Sequence, residues 1–380
     1  MSRPRLLYVV THPVTAKFLL RGQLAYMQDH GFDVSVMSSP GPDLDLVRSR
    51  DHVTTIEAPM SRDVALSSGP RALAAVVSGM RAARPDIVNA STPKAGLLGM
   101  LAARALGVPA RIYLLRGLRL ESARGVLRHG LGLAEAAASA CAHRVVCVSE
   151  SLRRAYVTGG YARNEKTSVL ASNGVDLTRF APRSDTRAIA LEVRNRLGIG
   201  AGEFVVGFVG RLVLDKGIAD LVAALGRACR SRRVRLLIVG GDLAGDALPP
   251  ALHARIAGDE RIVLAGKVDE PAAYYAAMDV LAFPSHREGL PNVPLEAAAC
   301  ELPAVGYRST GTVDAIAHDE TGVIVGSGDA AAMGDALARY ASDPELRLRH
   351  GRAGRARIAG RYSNEQTWAA WLSLYRSMLR

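Results

Sequence analysis

The stretch Phe204-Val205-Val206-Gly207-Phe208-Val209-Gly210-Arg211-Leu212-Val213-Leu214-Asp215-Lys216-Gly217 decides the fold. Residues 204–210 are apolar or glycine throughout, the pattern of a strand buried on both faces, and a helix is expected from about Lys216. Toward the C-terminus the alternation continues, with strands at 235–239, 262–265, 280–283 and 304–306 and helices between them. Toward the N-terminus it has already run once. Strands are expected at 6–10, 33–37, 53–56, 86–89, 111–115 and 144–148, with helices at 16–29, 71–83 and 94–106. Gly31, Pro85, Gly107 and Pro109 supply the helix stops. Strands alternating with helices imply a parallel sheet covered on both faces. The restart at 204 makes this two α/β, doubly wound, Rossmann-like halves in succession. The turn-rich residues 173–176 and 182–185 suit a linker. Residues 364–379 read as a last helix carrying both tryptophans, Trp368 and Trp371.

Composition fits this reading. The chain has 380 residues, 49% hydrophobic, 22% charged and 5% aromatic, which excludes a disordered or collagen-like chain. The longest apolar candidates are broken by Arg104 or Glu135, short of the ~18 residues that span a bilayer. No signal-type segment precedes the first strand, and Cys141, Cys147, Cys229 and Cys300 show no zinc or redox spacing. A cytoplasmic protein with reduced thiols is expected. The net charge of +12 is uneven: residues 1–180 carry a balance of +10 and residues 181–380 a balance of +2. A phosphorylated ligand, an anionic membrane and nucleic acid all suit such an excess. For nucleic acid there is no reading module and no basic run interleaved with aromatics.

Two stretches carry chemistry. In Ser285-His286-Arg287-Glu288-Gly289-Leu290-Pro291-Asn292-Val293-Pro294-Leu295-Glu296, a turn follows a strand and precedes a helix. Ligands of open α/β sheets bind at the carboxyl ends of strands. Backbone N–H groups near Gly289, Leu290 and Asn292 suit an anion. Glu288 on the turn and Glu296, expected in the first helical turn, suit hydroxyls, so a sugar or ribose fits better than a bare phosphate. The plainer alternative makes Glu296 a helix-terminus stabiliser and Glu288 a solvated loop residue. In the second stretch, Arg211 and Lys216 stand at the end of strand 204–210 and suit a diphosphate, Arg by its bidentate fork and Lys as a point charge. An ordinary Arg211/Asp215 surface pair is the alternative there. Gly240-Gly241 after the next strand fits a close backbone approach at the same edge.

These residues together resemble the family 4 glycosyltransferases. The resemblance rests on Gly210-Arg211 with Lys216-Gly217, on Glu288 and Glu296 within the Glu-Gly-Leu-Pro context, and on Gly311-Thr312 with His318-Asp319-Glu320-Thr321-Gly322. Asn173-Gly174-Val175-Asp176 with Phe180 is similar to the family's interdomain signature, and Thr92-Pro93-Lys94-Ala95-Gly96 to a segment of members that build capsular and other surface polysaccharides. The resemblance implies a GT-B fold, two Rossmann-like domains facing each other across a cleft. The acceptor-side domain would be 1–180 with the returning helix 362–380, and the donor domain 181–361. It also implies a nucleotide-sugar donor, UDP-linked in preference to GDP-linked, transfer with retention of anomeric configuration, and no essential metal or other cofactor. Carried over, Arg211 and Lys216 hold the donor diphosphate and Glu288 meets the sugar hydroxyls as the catalytic group. Glu296 meets the ribose, Gly289 and Leu290 lie by the sugar and phosphate, and Val268 lies near the base. Gly210 and Pro291 complete the donor contacts.

The first half departs from the family. Thr11-His12-Pro13-Val14-Thr15 replaces a Gly-rich turn, and Leu115-Arg116-Gly117 stands where relatives carry a histidine. His12, Arg116 and Lys94 are the substrate-binding candidates there. Arg104, Arg111, Arg116, Arg119, Arg124 and Arg128 are opposed locally only by Glu121, and a helix-like stretch at 125–142 follows. This suits an anionic membrane surface, hence a lipid-linked glycan acceptor and a peripheral position on the inner face of the cell membrane. A solvated basic face is the alternative. Rival functions are transfer to a soluble natural-product acceptor, a sugar-nucleotide epimerase, and a non-catalytic sugar-nucleotide binder on the same fold.

Overall fold

The computed structural model describes residues 3–60, 69–172, 174–228, 233–242 and 248–379. Asn173 of the linker signature and Cys229 lie outside the described residues; Cys141, Cys147 and Cys300 are buried free thiols. The chain divides into two compact units, Met1–Gly174 with Asn364–Arg380, and Val175–Ser363.

In the first unit the strands are β1 (Arg5–Val9), β2 (Asp33–Ser38), β3 (Thr54–Glu57), β4 (Ile87–Ser91), β5 (Ala110–Leu115), β6 (Arg144–Cys147) and β7 (Thr167–Val169). They form one parallel sheet in the order β3-β2-β1-β4-β5-β6-β7. Leu6, Leu7, Val36, Ile112 and Val146 are fully buried, as expected where helices cover both faces. The helix expected over 16–29 is two helices, Pro13–Leu19 and Gln23–Asp29. Gly22 breaks it with φ +77, and a Cβ there would lie 2.6 Å from the Trp368 ring. Trp368 belongs to the last helix, Asn364–Ser377, which packs on this unit. Its Trp371 Nε1 donates to the Ala171 carbonyl at 2.8 Å. Its Tyr375 hydroxyl donates to the Tyr8 hydroxyl at 3.1 Å and accepts from Asn89 Nδ2 at 2.6 Å.

In the second unit the strands are β8 (Phe204–Val209), β9 (Val234–Val239), β10 (Ile262–Gly266), β11 (Val280–Phe283), β12 (Ala304–Tyr307) and β13 (Gly322–Val325). Their order is β10-β9-β8-β11-β12-β13, all parallel. Phe204, Val206 and Phe208 of β8 lie in a core with Leu221 and Leu225 of helix Ile218–Ala228 and Leu337 of helix Ala330–Ser342. Each sheet reverses its strand order once, between β1 and β4 and between β8 and β11. Neighbouring strands there send their chains to opposite faces, and a crevice opens at their carboxyl ends.

Candidate active site

In the second unit the expected donor residues collect at the carboxyl ends of β8, β10 and β11. After β8, a short 3₁₀ turn Leu214–Lys216 precedes the helix, so Lys216 projects from the turn and not from the helix. Its Nζ lies 2.5 Å from Glu288 Oε1, and Ser285 Oγ donates to the same oxygen at 2.7 Å. Both charged side chains are largely shielded. Arg211 is exposed, and its guanidinium makes no ion pair or hydrogen bond among the described residues.

The loops after β8 and β11 are joined at further points. Arg287 Nη2 lies 3.4 Å from Asp215 Oδ2, the His286 amide donates to the Asp215 carbonyl at 3.0 Å, and His286 Nε2 lies 3.4 Å from Asp220 Oδ2. Asp215 therefore pairs with Arg287 rather than with Arg211. Ser309 Oγ donates to the Ser285 carbonyl at 3.0 Å and ties the loop after β12 to the same place. Sequence reasoning missed Ser285, Asp215 and Arg287 as supports; their position inside the quoted motifs was the only available signal.

Glu296 departs from expectation. It lies a turn inside helix Asn292–Ala299, whose first turn carries no acidic residue and whose N-cap is Pro291. It therefore does not stabilise the helix N-terminus. Its Oε2 accepts from the Tyr275 hydroxyl at 2.9 Å. Burial raises its pKa, opposed by the Tyr275 hydrogen bond and the charge of Arg179. No direct contact among the described residues joins Glu296 to the Lys216–Glu288 pair. A carboxyl with a raised folded pKa binds more protons folded than unfolded, so its contribution to stability falls as pH rises through that pKa. Glu296→Gln removes this penalty while keeping an acceptor for Tyr275. The expected result is a melting temperature about 1–3 °C above wild type at pH 7.5, with the difference vanishing below pH 4, read by a pH series of melts.

Val268 is half-buried just past β10, and Gly289, Leu290 and Pro291 form the turn before helix Asn292–Ala299. The Gly240-Gly241 pair closes on its own chain: Gly240 sits against the Gly210 carbonyl, and the Leu212 amide donates to the Gly241 carbonyl at 3.0 Å.

In the first unit the replacement for the Gly-rich turn is a threonine clasp. The Thr11 and Thr92 hydroxyls lie 2.6 Å apart, the Thr11 amide donates to Thr92 Oγ1 at 3.2 Å, and the Ala95 amide to Thr11 Oγ1 at 3.2 Å. Thr92 adopts φ +73 at the N-cap of helix Pro93–Ala105, a strained conformation at the β1/β4 reversal. His12 caps helix Pro13–Leu19 by accepting from the Val14 amide at 3.3 Å. Lys94 lies half-buried in the first turn of Pro93–Ala105. Arg116, just past β5, has Nε and Nη1 shut away from solvent without a partner among the described residues. Burial brings it down to about 10, countered by the Tyr375 and Tyr8 hydroxyls, so it stays charged at neutral pH.

The basic run is not one patch. Arg111 spends its guanidinium on the Cys141 and Val108 carbonyls, with Arg104 nearby in the last turn of Pro93–Ala105. Arg119, Arg124 and Arg128 belong instead to the carboxyl-end side of β5. There helix Gly125–Cys141 exposes Val126 (89%) and Leu133 (74%). The buried half of that helix is held by Glu135, which accepts from Tyr113 at 2.8 Å and Tyr156 at 3.1 Å. No helix among the described residues is long and apolar enough to cross a membrane.

Two parallel α/β units, the second with paired cations and carboxylates at its strand-order reversal, define the GT-B class of glycosyltransferases. Residues 203–343 match the family described as glycosyl transferases group 1, and residues 20–179 match glycosyltransferase family 4. The chain is 34% identical over 366 residues to the Staphylococcus aureus capsular polysaccharide biosynthesis glycosyltransferase CapM, spanning 95% of this chain and 94% of that one. It belongs to family 4. It is also 27% identical over 327 residues to the Escherichia coli UDP-Gal:alpha-D-GlcNAc-diphosphoundecaprenol alpha-1,3-galactosyltransferase, across 83% and 82% of the two chains. The fold is similar to that of Anabaena HepE, crystallised in complex with UDP: TM-score 0.81 at 21% identity, covering 99% of this chain and 100% of that one.

Proposed function

We propose that this glycosyltransferase moves a sugar from a nucleoside-diphosphate donor, UDP-linked in preference to GDP-linked, onto a lipid-linked glycan acceptor of surface-polysaccharide synthesis, with retention of anomeric configuration and without an essential metal. The observation that carries the reading is the meeting of Lys216 and Glu288 at the β8/β11 reversal, with exposed Arg211 on the same loop after β8. Breaking the bond from the sugar to the diphosphate puts negative charge on the leaving oxygen and positive charge on the ring. Arg211 and Lys216, both carried by the loop after β8, stabilise the leaving diphosphate as a metal does in other enzymes. Glu288 orients the sugar hydroxyls and stabilises the cationic ring. Its pairing with Lys216 and Ser285 favours positioning and electrostatics over nucleophilic attack. Glu296 takes the ribose and Val268 lies by the base.

The names of the Staphylococcus and Escherichia relatives support a surface-glycan product, and the latter's name supports a UDP-sugar donor and a lipid diphosphate acceptor. On the acceptor side, Arg116, Lys94 and His12 suit an anionic group. Arg119, Arg124 and Arg128 with the exposed Val126 and Leu133 suit an anionic lipid surface, and this contact favours a lipid-linked over a soluble acceptor.

A thermal-shift panel of UDP-, GDP- and dTDP-sugars tests the donor, because a ligand of the folded state raises its melting temperature. UDP-sugars are expected to give the largest shift, and no shift with any of them removes the donor reading. The product's anomeric configuration, read by NMR, decides retention. Co-sedimentation with phosphatidylglycerol vesicles is expected at low salt and lost at high salt. A protein that stays in the supernatant at low salt removes the membrane part alone.

A further inference from the structure

The Lys216–Glu288 pair conflicts with the roles proposed for its members. Lys216 is to hold a diphosphate and Glu288 sugar hydroxyls, yet each is the other's partner, 2.5 Å apart. A diphosphate reaching Lys216 meets a carboxylate already there, and like charges at that separation repel. From this contact we infer that Glu288 is an internal competitor of the donor diphosphate. The diphosphate displaces it from Lys216, the displaced carboxylate is taken up by the sugar hydroxyls, and after transfer it returns to Lys216 and drives the nucleoside diphosphate out. The inference rests on the proposed donor site.

The surroundings suit such an exchange. Ser285 Oγ donates to the same oxygen as Lys216, so it can follow the carboxylate through a change of rotamer. The backbone is fastened independently of the central pair by the Asp215–Arg287 and Asp220–His286 contacts, the His286 amide on the Asp215 carbonyl and Ser309 on the Ser285 carbonyl. Opening the pair therefore moves two side chains and leaves the loops in register. A sugar nucleotide supplies new hydrogen bonds to the freed carboxylate. The product nucleotide, with no sugar, leaves it without any, so Glu288 discriminates the donor from the spent nucleotide by weakening the latter. A competing closed state lowers apparent affinity by the fraction of protein left open.

Titration calorimetry with UDP and with the UDP-sugar chosen by the thermal-shift panel tests this on wild type, Glu288→Gln, Glu288→Ala and Lys216→Gln, each checked for an unchanged melting profile. Glu288→Gln keeps the shape and the Ser285 partner but gives up the charge. The expected result is UDP bound about tenfold more tightly by both Glu288 variants, the size of one charge-assisted contact, with no such gain for the UDP-sugar. Pre-steady-state kinetics are expected to show slower UDP release from Glu288→Gln. UDP affinity that is unchanged or weaker in both variants, with Lys216→Gln still impaired, overturns the competition and leaves the donor site standing. Lys216→Gln binding UDP as well as wild type does, or no binding of UDP to wild type, overturns the site itself.

Discussion

Arg211→Ala is expected to lower kcat/KM by about 10²–10³-fold while leaving the melting temperature within about 1 °C of wild type. The first figure is what the loss of one preorganised donor to a developing negative charge costs in acyl-transfer sites. The second follows from Arg211 being exposed and unpaired among the described residues, so folding gains nothing measurable from it. Such a cation, on the same loop as Lys216, is held by no contact among the described residues, which leaves its charge for a ligand. Arg211→Lys keeps the charge but not the planar fork and should recover part of the rate. If two protein cations do the electrostatic work, as proposed, wild-type turnover in EDTA is expected to match turnover without it. Transfer that survives Arg211→Ala removes it from the site. A melting temperature that falls by many degrees assigns it to the fold instead.

The alternation of elements was legible because most strands here are buried on both faces and their residues say so: 204–210 and 280–283 became β8 and β11 with little change at either end. What escaped was whatever owed its form to distant parts of the chain. β7 is a half-buried sheet edge without alternation, and helix Pro42–Asp51 has a charged surface bearing Asp43, Asp45, Arg48 and Arg50, so neither carries a periodic signal. At the break, Gly22 takes the Trp368 ring, more than three hundred positions away, where a side chain would otherwise stand. At the site, residue type and spacing indicated Arg211, Lys216 and Glu288, but not that Glu288 and Lys216 touch, nor that Tyr275 holds Glu296. The first contact joins the loops after β8 and β11, which only the sheet order β9-β8-β11-β12 makes neighbours, and the second joins the two helices that flank β11. The basic run misled for the same reason. Spacing placed Arg111 with Arg128, whereas the fold puts the first on backbone carbonyls near the amino half of β5 and the second beyond its carboxyl end.

Gly240→Ala is expected to be among the most damaging small substitutions in the second unit, whereas Gly241→Ala should be nearly silent. The sequence shows two adjacent glycines and does not separate them. Gly240 has φ +150, and a Cβ there would lie 1.8 Å from the Gly210 carbonyl oxygen, where no side chain can yield because the obstacle is backbone. The neighbouring hydrogen bonds, Gly210 amide to Val239 carbonyl at 3.0 Å and Gly240 amide to Gly266 carbonyl at 2.9 Å, lock β8, β9 and β10 at that level. Relief requires the β8 and β9 chains to separate just where Arg211 begins. Overpacking and backbone strain together cost about 3 kcal/mol or more, a fall of roughly 6–12 °C for a unit of this size. Gly241 has no positive φ, and its nearest obstacle is Lys267 Cβ at 3.5 Å, an ordinary contact. Because the same displacement moves Gly210 and Arg211, any Gly240→Ala protein that folds should also bind donor more weakly. Calorimetric melts of the two variants with and without UDP-sugar measure both effects. Equal stability of the two would mean that the β8–β9 edge yields freely, and then the backbone at Arg211, on which the proposed stabilisation of the leaving group rests, would have no rigid support.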